Sequence, residues 1–116
     1  MPLDSLLPSV PVLLVLKVLE TGPAHGYEIV RRVEQLSAGV LALKEGTLYP
    51  LLYKMEHDGL VCGAWTSVTG GRRIRLYTVT PLGRRHLASE EEIWTIRSLG
   101  VNRVLNMGEA TTRGLA

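Results

Sequence analysis

Glu45-Gly46-Thr47-Leu48-Tyr49-Pro50-Leu51-Leu52-Tyr53-Lys54-Met55-Glu56-His57-Asp58-Gly59 is the stretch on which the fold turns. Leu48, Leu51, Leu52 and Met55 recur at helical spacing along one face, which predicts a helix over about Glu45 to Asp58, and Gly59 is placed to end it. An extended stretch from Leu60 to Ser67 follows at once. Thr69-Gly70-Gly71 then reads as a turn, and Arg73 to Thr80, rich in β-branched and aromatic residues, reads as a returning strand. A short amphipathic helix thus feeds directly into a glycine-turned hairpin.

Working upstream, Val12 to Leu19 is apolar except for Lys17, with Ser9 as a candidate N-cap and Pro11 inside the first turn. Thr21-Gly22-Pro23 stops that helix. A second begins near Gly26, with Ile29, Val33 and Leu36 on its apolar face and Glu28, Arg31, Arg32 and Gln35 turned outward. Ser37 to Leu43 is a connector with a brief strand expected at Leu41 to Leu43. Downstream, Thr80-Pro81 is an N-cap and N1 pair that opens a fourth helix running to about Leu105. Gly108 to Ala116 has no apolar periodicity and is expected to be a mobile tail.

The predicted order is α-α-α-β-β-α, a mainly α chain with one small β-hairpin. It corresponds to a winged helix-turn-helix over residues 9–80, with an added C-terminal helix over residues 81–107 and the tail over 108–116. Helices one to three are each too short to be stable alone, so each must bury its stripe against the others. Their outer faces are then free for a partner.

Composition narrows the classes. The 116 residues suffice for one domain, and the 46% hydrophobic and 21% charged shares are those of a globular chain. One cysteine, Cys62, can form neither an intrachain disulfide nor a multi-cysteine zinc site, and a buried thiol is the expected environment. The charge-free run from Ser5 to Leu16 is shorter than the roughly 20 residues of a membrane helix, and no basic residue precedes it as in a secretory signal. A cytoplasmic location is expected. His25, His57, Cys62 and His86 show no ligand pair at helical spacing, so no metal site or other cofactor is expected. Gly70-Gly71 lacks the lysine and hydroxyl of a phosphate loop, no serine occupies a nucleophile elbow, and Glu90 to Glu92 fan apart on a helix. The chain is not read as an enzyme.

Charge placement favours a nucleic-acid partner. The net charge is only +2, yet between Asp58 and Glu90 there is no acidic residue, and Arg72, Arg73, Arg75, Arg84 and Arg85 all fall there. Arginine at a hairpin tip suits phosphate or minor-groove contact, because its planar fork stays charged. Thr47 and Tyr49 sit in the first turn of helix three, with Pro50, Tyr53, Lys54 and His57 opposite its core stripe. Such a helix can meet a major groove end-on. Both features also admit plainer readings, a solvated helix face and a turn kept soluble by arginine.

Several spaced motifs resemble the PadR family of bacterial transcriptional regulators. They are His25-Gly26-Tyr27-Glu28-Ile29, Glu45-Gly46-Thr47-Leu48-Tyr49-Pro50-Leu51-Leu52, Met55-Glu56-His57-Asp58-Gly59-Leu60-Val61, and Arg72-Arg73 with Tyr77-Thr78-Val79-Thr80-Pro81-Leu82-Gly83. The likeness covers about residues 10 to 105. It implies a homodimeric winged-helix repressor of pseudo-palindromic operator DNA, of the small subfamily with a single C-terminal dimerisation helix. By the same resemblance, Tyr27, Thr47, Tyr49, Pro50, Lys54, Arg72, Arg73 and Arg75 would face DNA, while Tyr77 packs inward. Leu76, where a second tyrosine often stands, and the acidic run Glu90 to Glu92 depart from the common pattern.

Leu87, Trp94 and Val101 recur every seven residues with Leu105 beyond, a heptad broken by Glu91 and Ser98. With the nearly all-apolar first helix, this predicts a homodimer built on helices one and four. Trp94 has two open roles: packing at the dimer centre or, as in the regulators it resembles, stacking on a small planar aromatic effector. Trp65 is expected to pack in the core or against the wing. A winged-helix module for protein–protein contact, without DNA binding, stands as the alternative function.

Overall fold

The computed structural model describes residues 6–107. The tail expected over residues 108–116 lies outside them. Four helices, α1 (Leu6–Glu20), α2 (Gly26–Leu36), α3 (Glu45–His57) and α4 (Pro81–Leu105), carry three strands, β1 (Ala24–His25), β2 (Val61–Ser67) and β3 (Arg73–Val79). The sheet is antiparallel in the order β1-β3-β2, with β2 and β3 paired from Val61↔Val79 to Ser67↔Arg73. The expected architecture is present, a helical layer with a β-hairpin projecting from it.

Local chemistry accounts for the element ends. Gly59, at φ +77°, ends α3; its amide donates to the Glu56 carbonyl and the Leu60 amide to that of Met55, so the last orphan carbonyls are satisfied. Thr80 caps α4, its hydroxyl accepting from the Gly83 amide at 3.0 Å and donating to the Gly59 carbonyl at 2.6 Å. One side chain therefore ties the end of α3 to the start of α4. Gly70 and Gly71, both at positive φ, turn the hairpin.

Leu16 and Leu19 of α1, Ile29 of α2, Leu48, Leu52 and Met55 of α3, Val61 of β2 and Leu87 of α4 form the centre of the core. Each helix contributes one stripe to it. Lys17 joins α1 to α4 at the surface through Glu91 at 3.2 Å, and it also pairs with Glu20 at 3.1 Å. Hydrogen bonds to Glu20 and Glu91 raise the Lys17 ammonium above its ordinary pKa.

Several expectations are corrected. The first helix starts at Leu6, so Ser9 lies inside it and Pro11 falls in its second turn. Proline there removes the amide that would bond the Leu7 carbonyl and crowds that carbonyl, yet the helix continues to Glu20. Leu41 to Leu43 form no strand; Leu43 is buried from a coil, which satisfies an apolar residue without a ladder. Ala24–His25 instead pair with β3, at Ala24↔Tyr77 and His25↔Leu76, a bridge too short to leave a period in the sequence. Leu36 is 75% exposed, because α2 ends there and the chain leaves the core. Cys62 is exposed, on a strand at the edge of the sheet.

Candidate nucleic-acid interface

Of the side chains singled out in the sequence, Tyr27, Tyr49, Arg72, Arg73 and Arg75 come together around one cleft from three elements, whereas Thr47, Pro50 and Lys54 do not line it. Tyr27 projects from the first turn of α2, which is closed by a reciprocal cap. His25 Nδ1 accepts from the Glu28 amide at 3.2 Å, and the Glu28 carboxylate accepts from the His25 amide at 3.3 Å. Histidine in the capping role gave no recognisable signal in the sequence. The Arg31 guanidinium lies 5.9 Å from the Tyr27 ring centre.

Tyr49, in the first half of α3, lays its ring across Gly26. A Cβ added at Gly26 would come within 2.7 Å of that ring, so the ring in this pose rests on a glycine and would have to swing aside for any larger residue. Thr47, Pro50 and Lys54 are exposed, as is Tyr53. Leu48, Leu52 and Met55 hold the opposite face of α3 in the core.

The hairpin supplies the third side. Arg72 and Arg73 are exposed at its tip, and Arg73 stacks 4.9 Å from the ring centre of Trp65, which is 57% exposed. Trp65 thus packs on the wing and not in the core. Tyr27, Tyr49, Trp65, Arg72, Arg73 and Tyr77 all line one cleft of about 570 Å³ between the helix starts and the hairpin. A second, of about 530 Å³, runs between Tyr49, Tyr53 and His57 of α3 and Tyr77 of β3. Tyr77 itself is buried; burial is the main cause raising its phenol above the ordinary value, with Arg75 opposing.

Arg75 differs from its neighbours. Its guanidinium donates to Glu56 of α3 at 2.6 Å and lies 5.4 Å from the Trp65 ring centre. The hydrogen bond to Glu56 raises its pKa further above the ordinary arginine value. Among the described residues no group of three His, Cys, Asp or Glu could hold a metal ion, and no helix is long and apolar enough to cross a membrane.

Residues 15–89 match the transcriptional regulator PadR-like family. The chain belongs to that family. PadR-like proteins are transcriptional regulators and not enzymes, which agrees with the absence of a catalytic signature in the sequence. A transcriptional regulator of Mycobacterium tuberculosis is 39% identical over 57 residues, spanning 49% of this chain and 52% of that one. The PadR family regulator of Eggerthella lenta is 30% identical with a TM-score of 0.69, covering 88% of this chain and 90% of its own. PadR of Bacillus subtilis, solved in complex with operator DNA, has the same fold at a TM-score of 0.64 and 24% identity, over 69% of this chain and 45% of that one.

Beyond the cleft, α4 carries the other candidate of this PadR-like chain. The stripe that starts with buried Leu87 continues to Trp94, 46% exposed, and on to exposed Val101 and Leu105. The N-terminal half of the stripe is covered by the chain's own core. The C-terminal half is bare, and with α4 extended the molecule measures 67 × 27 × 23 Å.

Proposed function

We propose that this PadR-like regulator is a homodimeric repressor that binds pseudo-palindromic operator DNA, with residues 9–80 as the winged helix-turn-helix and residues 81–107 as the dimerisation helix. The observation that carries the reading is the meeting of Tyr27, Tyr49, Arg72 and Arg73 around one cleft, from three separate elements. The operator complex of the Bacillus subtilis relative supports it by fold. In this reading Thr47, Tyr49, Pro50 and Lys54 approach the major groove, Tyr27 flanks them, and Arg72 and Arg73 reach the backbone or minor groove.

Base contacts and phosphate contacts leave different traces in solution. Arg73→Ala is expected to weaken selected and random duplexes alike and to reduce the slope of log affinity against log salt by about 1 per protomer. Tyr49→Ala is expected to leave that slope unchanged while lowering the preference for the selected duplex about tenfold. Fluorescence anisotropy across a salt series checks both. Equal effects of the two substitutions on slope and preference would contradict the division of labour.

Trp94 stands half-exposed on the stripe proposed to meet the partner, where its twofold mate would give a flat aromatic pair able to take a small planar aromatic effector. In a Trp65→Phe background, planar aromatic cations are expected to quench Trp94 emission and weaken operator binding. Emission and affinity that stay constant through the titration would leave Trp94 a packing role alone.

A further inference from the structure

Glu56 lies in the last turn of α3 on the side facing the hairpin, and one of its carboxylate oxygens serves two partners. Its Oε2 accepts from the Gly63 amide of β2 at 3.3 Å and from Arg75 Nη2 of β3 at 2.6 Å. One oxygen therefore joins the candidate recognition helix to both strands of the wing. β2 is an edge strand, and this carboxylate covers an amide that would otherwise point away from the ladder unpaired.

The neighbours keep Arg75 in that pose. The Trp65 and Tyr77 ring centres lie 5.4 and 6.0 Å from its guanidinium carbon. Diagonally across the ladder, Gly63, which is paired with Tyr77, has no side chain; a Cβ there would come within 2.7 Å of Arg75 Nε and 3.0 Å of its guanidinium carbon. The side chain crosses the strand over a glycine, between two rings, to reach a carboxylate at closest hydrogen-bonding distance. Among the described residues Arg72 and Arg73 show no comparable carboxylate pairing.

We infer that Arg75 and Glu56 are positioning residues, a strut that sets the reach of the wing relative to α3, and that Arg75 is not a phosphate contact. The inference rests on the DNA-binding reading and reassigns one residue within it. A paired guanidinium offers a phosphate little net charge, whereas a wing held at a fixed angle lets Arg73 and Tyr49 engage one duplex together.

The test has one arm without DNA and one with it, both on the full chain. In the free protein, amide exchange at Gly63 is expected to speed up about tenfold in Glu56→Ala and also in Arg75→Ala, with circular dichroism unchanged. Gly63 exchange unaffected in both variants would overturn the strut, whatever the chain binds. In the second arm, a random duplex and the best duplex recovered by in vitro selection with the wild type are titrated over a salt series. Arg75→Ala is expected to keep the wild-type salt slope yet lose about tenfold in preference for the selected duplex. Glu56→Ala should lose the same preference although it makes the chain more basic. Arg75→Lys should resemble Arg75→Ala, since an ammonium cannot reproduce the stacked fork. A slope reduced by about 1 per protomer in Arg75→Ala, together with tighter binding of both duplexes by Glu56→Ala, would make Arg75 a phosphate contact and overturn the inference. A wild type that bound neither duplex would remove the DNA-binding reading, an outcome distinct from any change in Gly63 exchange.

Discussion

Val101→Asp combined with Leu105→Asp is expected to convert the proposed dimer to monomers and to lower operator affinity about a hundredfold or more. Both positions lie on the bare half of the α4 stripe, Leu105 73% exposed, so the separate chain should keep its fold. In a twofold dimer each substitution occurs twice, which places four carboxylates in an apolar seam, at a cost of several kcal/mol. Burying one leucine or valine from water is worth only about 1.5–3 kcal/mol, so the seam cannot absorb that loss. Two half-sites held by one dimer gain on the order of 10²–10⁴ in avidity over either alone, and this gain disappears with the seam. Light scattering beside anisotropy checks mass and affinity on one sample. A variant that stayed dimeric with unchanged operator affinity would place the interface elsewhere.

Gly83→Ala is expected to destabilise the chain by about 3 kcal/mol or more, a fall in Tm on the order of 15 °C. A Cβ at Gly83 would overlap the Leu60 carbonyl oxygen and approach Val79 Cγ2 at 2.8 Å. That carbonyl is the acceptor of the Thr80 amide at 3.1 Å, so it cannot move aside without breaking the junction between α4 and the hairpin root. No flexible side chain stands at the overlap to yield. Gly100→Ala supplies the contrast: nothing lies within 4 Å of its Cβ position, and a helix interior favours alanine over glycine by about 1 kcal/mol. Thermal melts of the two variants should therefore move in opposite directions. A Gly83→Ala chain as stable as the wild type would show that α4 does not start against Leu60.

What the sequence disclosed follows from the kind of signal each feature leaves. Thr80-Pro81, Gly59 and the Gly70-Gly71 turn act within a few residues, and the structure places helix ends and hairpin where they stand. Tyr27, Tyr49, Arg72 and Arg73 were nameable from motif and charge; that they share a cleft depends on Gly26 admitting the Tyr49 ring. The rest lacked a local signal. β1 is two residues long, and its pairing with Tyr77 and Leu76 exists only once the hairpin has folded. Leu36 obeyed the helical period yet faces solvent, since periodicity does not say where a helix leaves the core. The link from Glu56 to Arg75 spans 19 residues, so a helix carboxylate and an arginine expected to face DNA meet only in three dimensions. Cys62 read as buried because cysteine usually is, whereas in β2 it points to the sheet face opposite the one that buries Val61.

The salt dependence of duplex binding by the wild-type chain separates a DNA-binding surface from a protein-binding one. A basic hairpin and a helix start that meet one duplex in both protomers should neutralise several phosphates, so affinity should fall linearly on a log–log plot with a slope of about −0.9 for each phosphate engaged. The slope predicted here is steep and persists on random DNA, with selected DNA bound more tightly at every salt concentration. A flat response, or no duplex binding at low salt, would contradict it and leave the wing and α3 as a surface for protein partners.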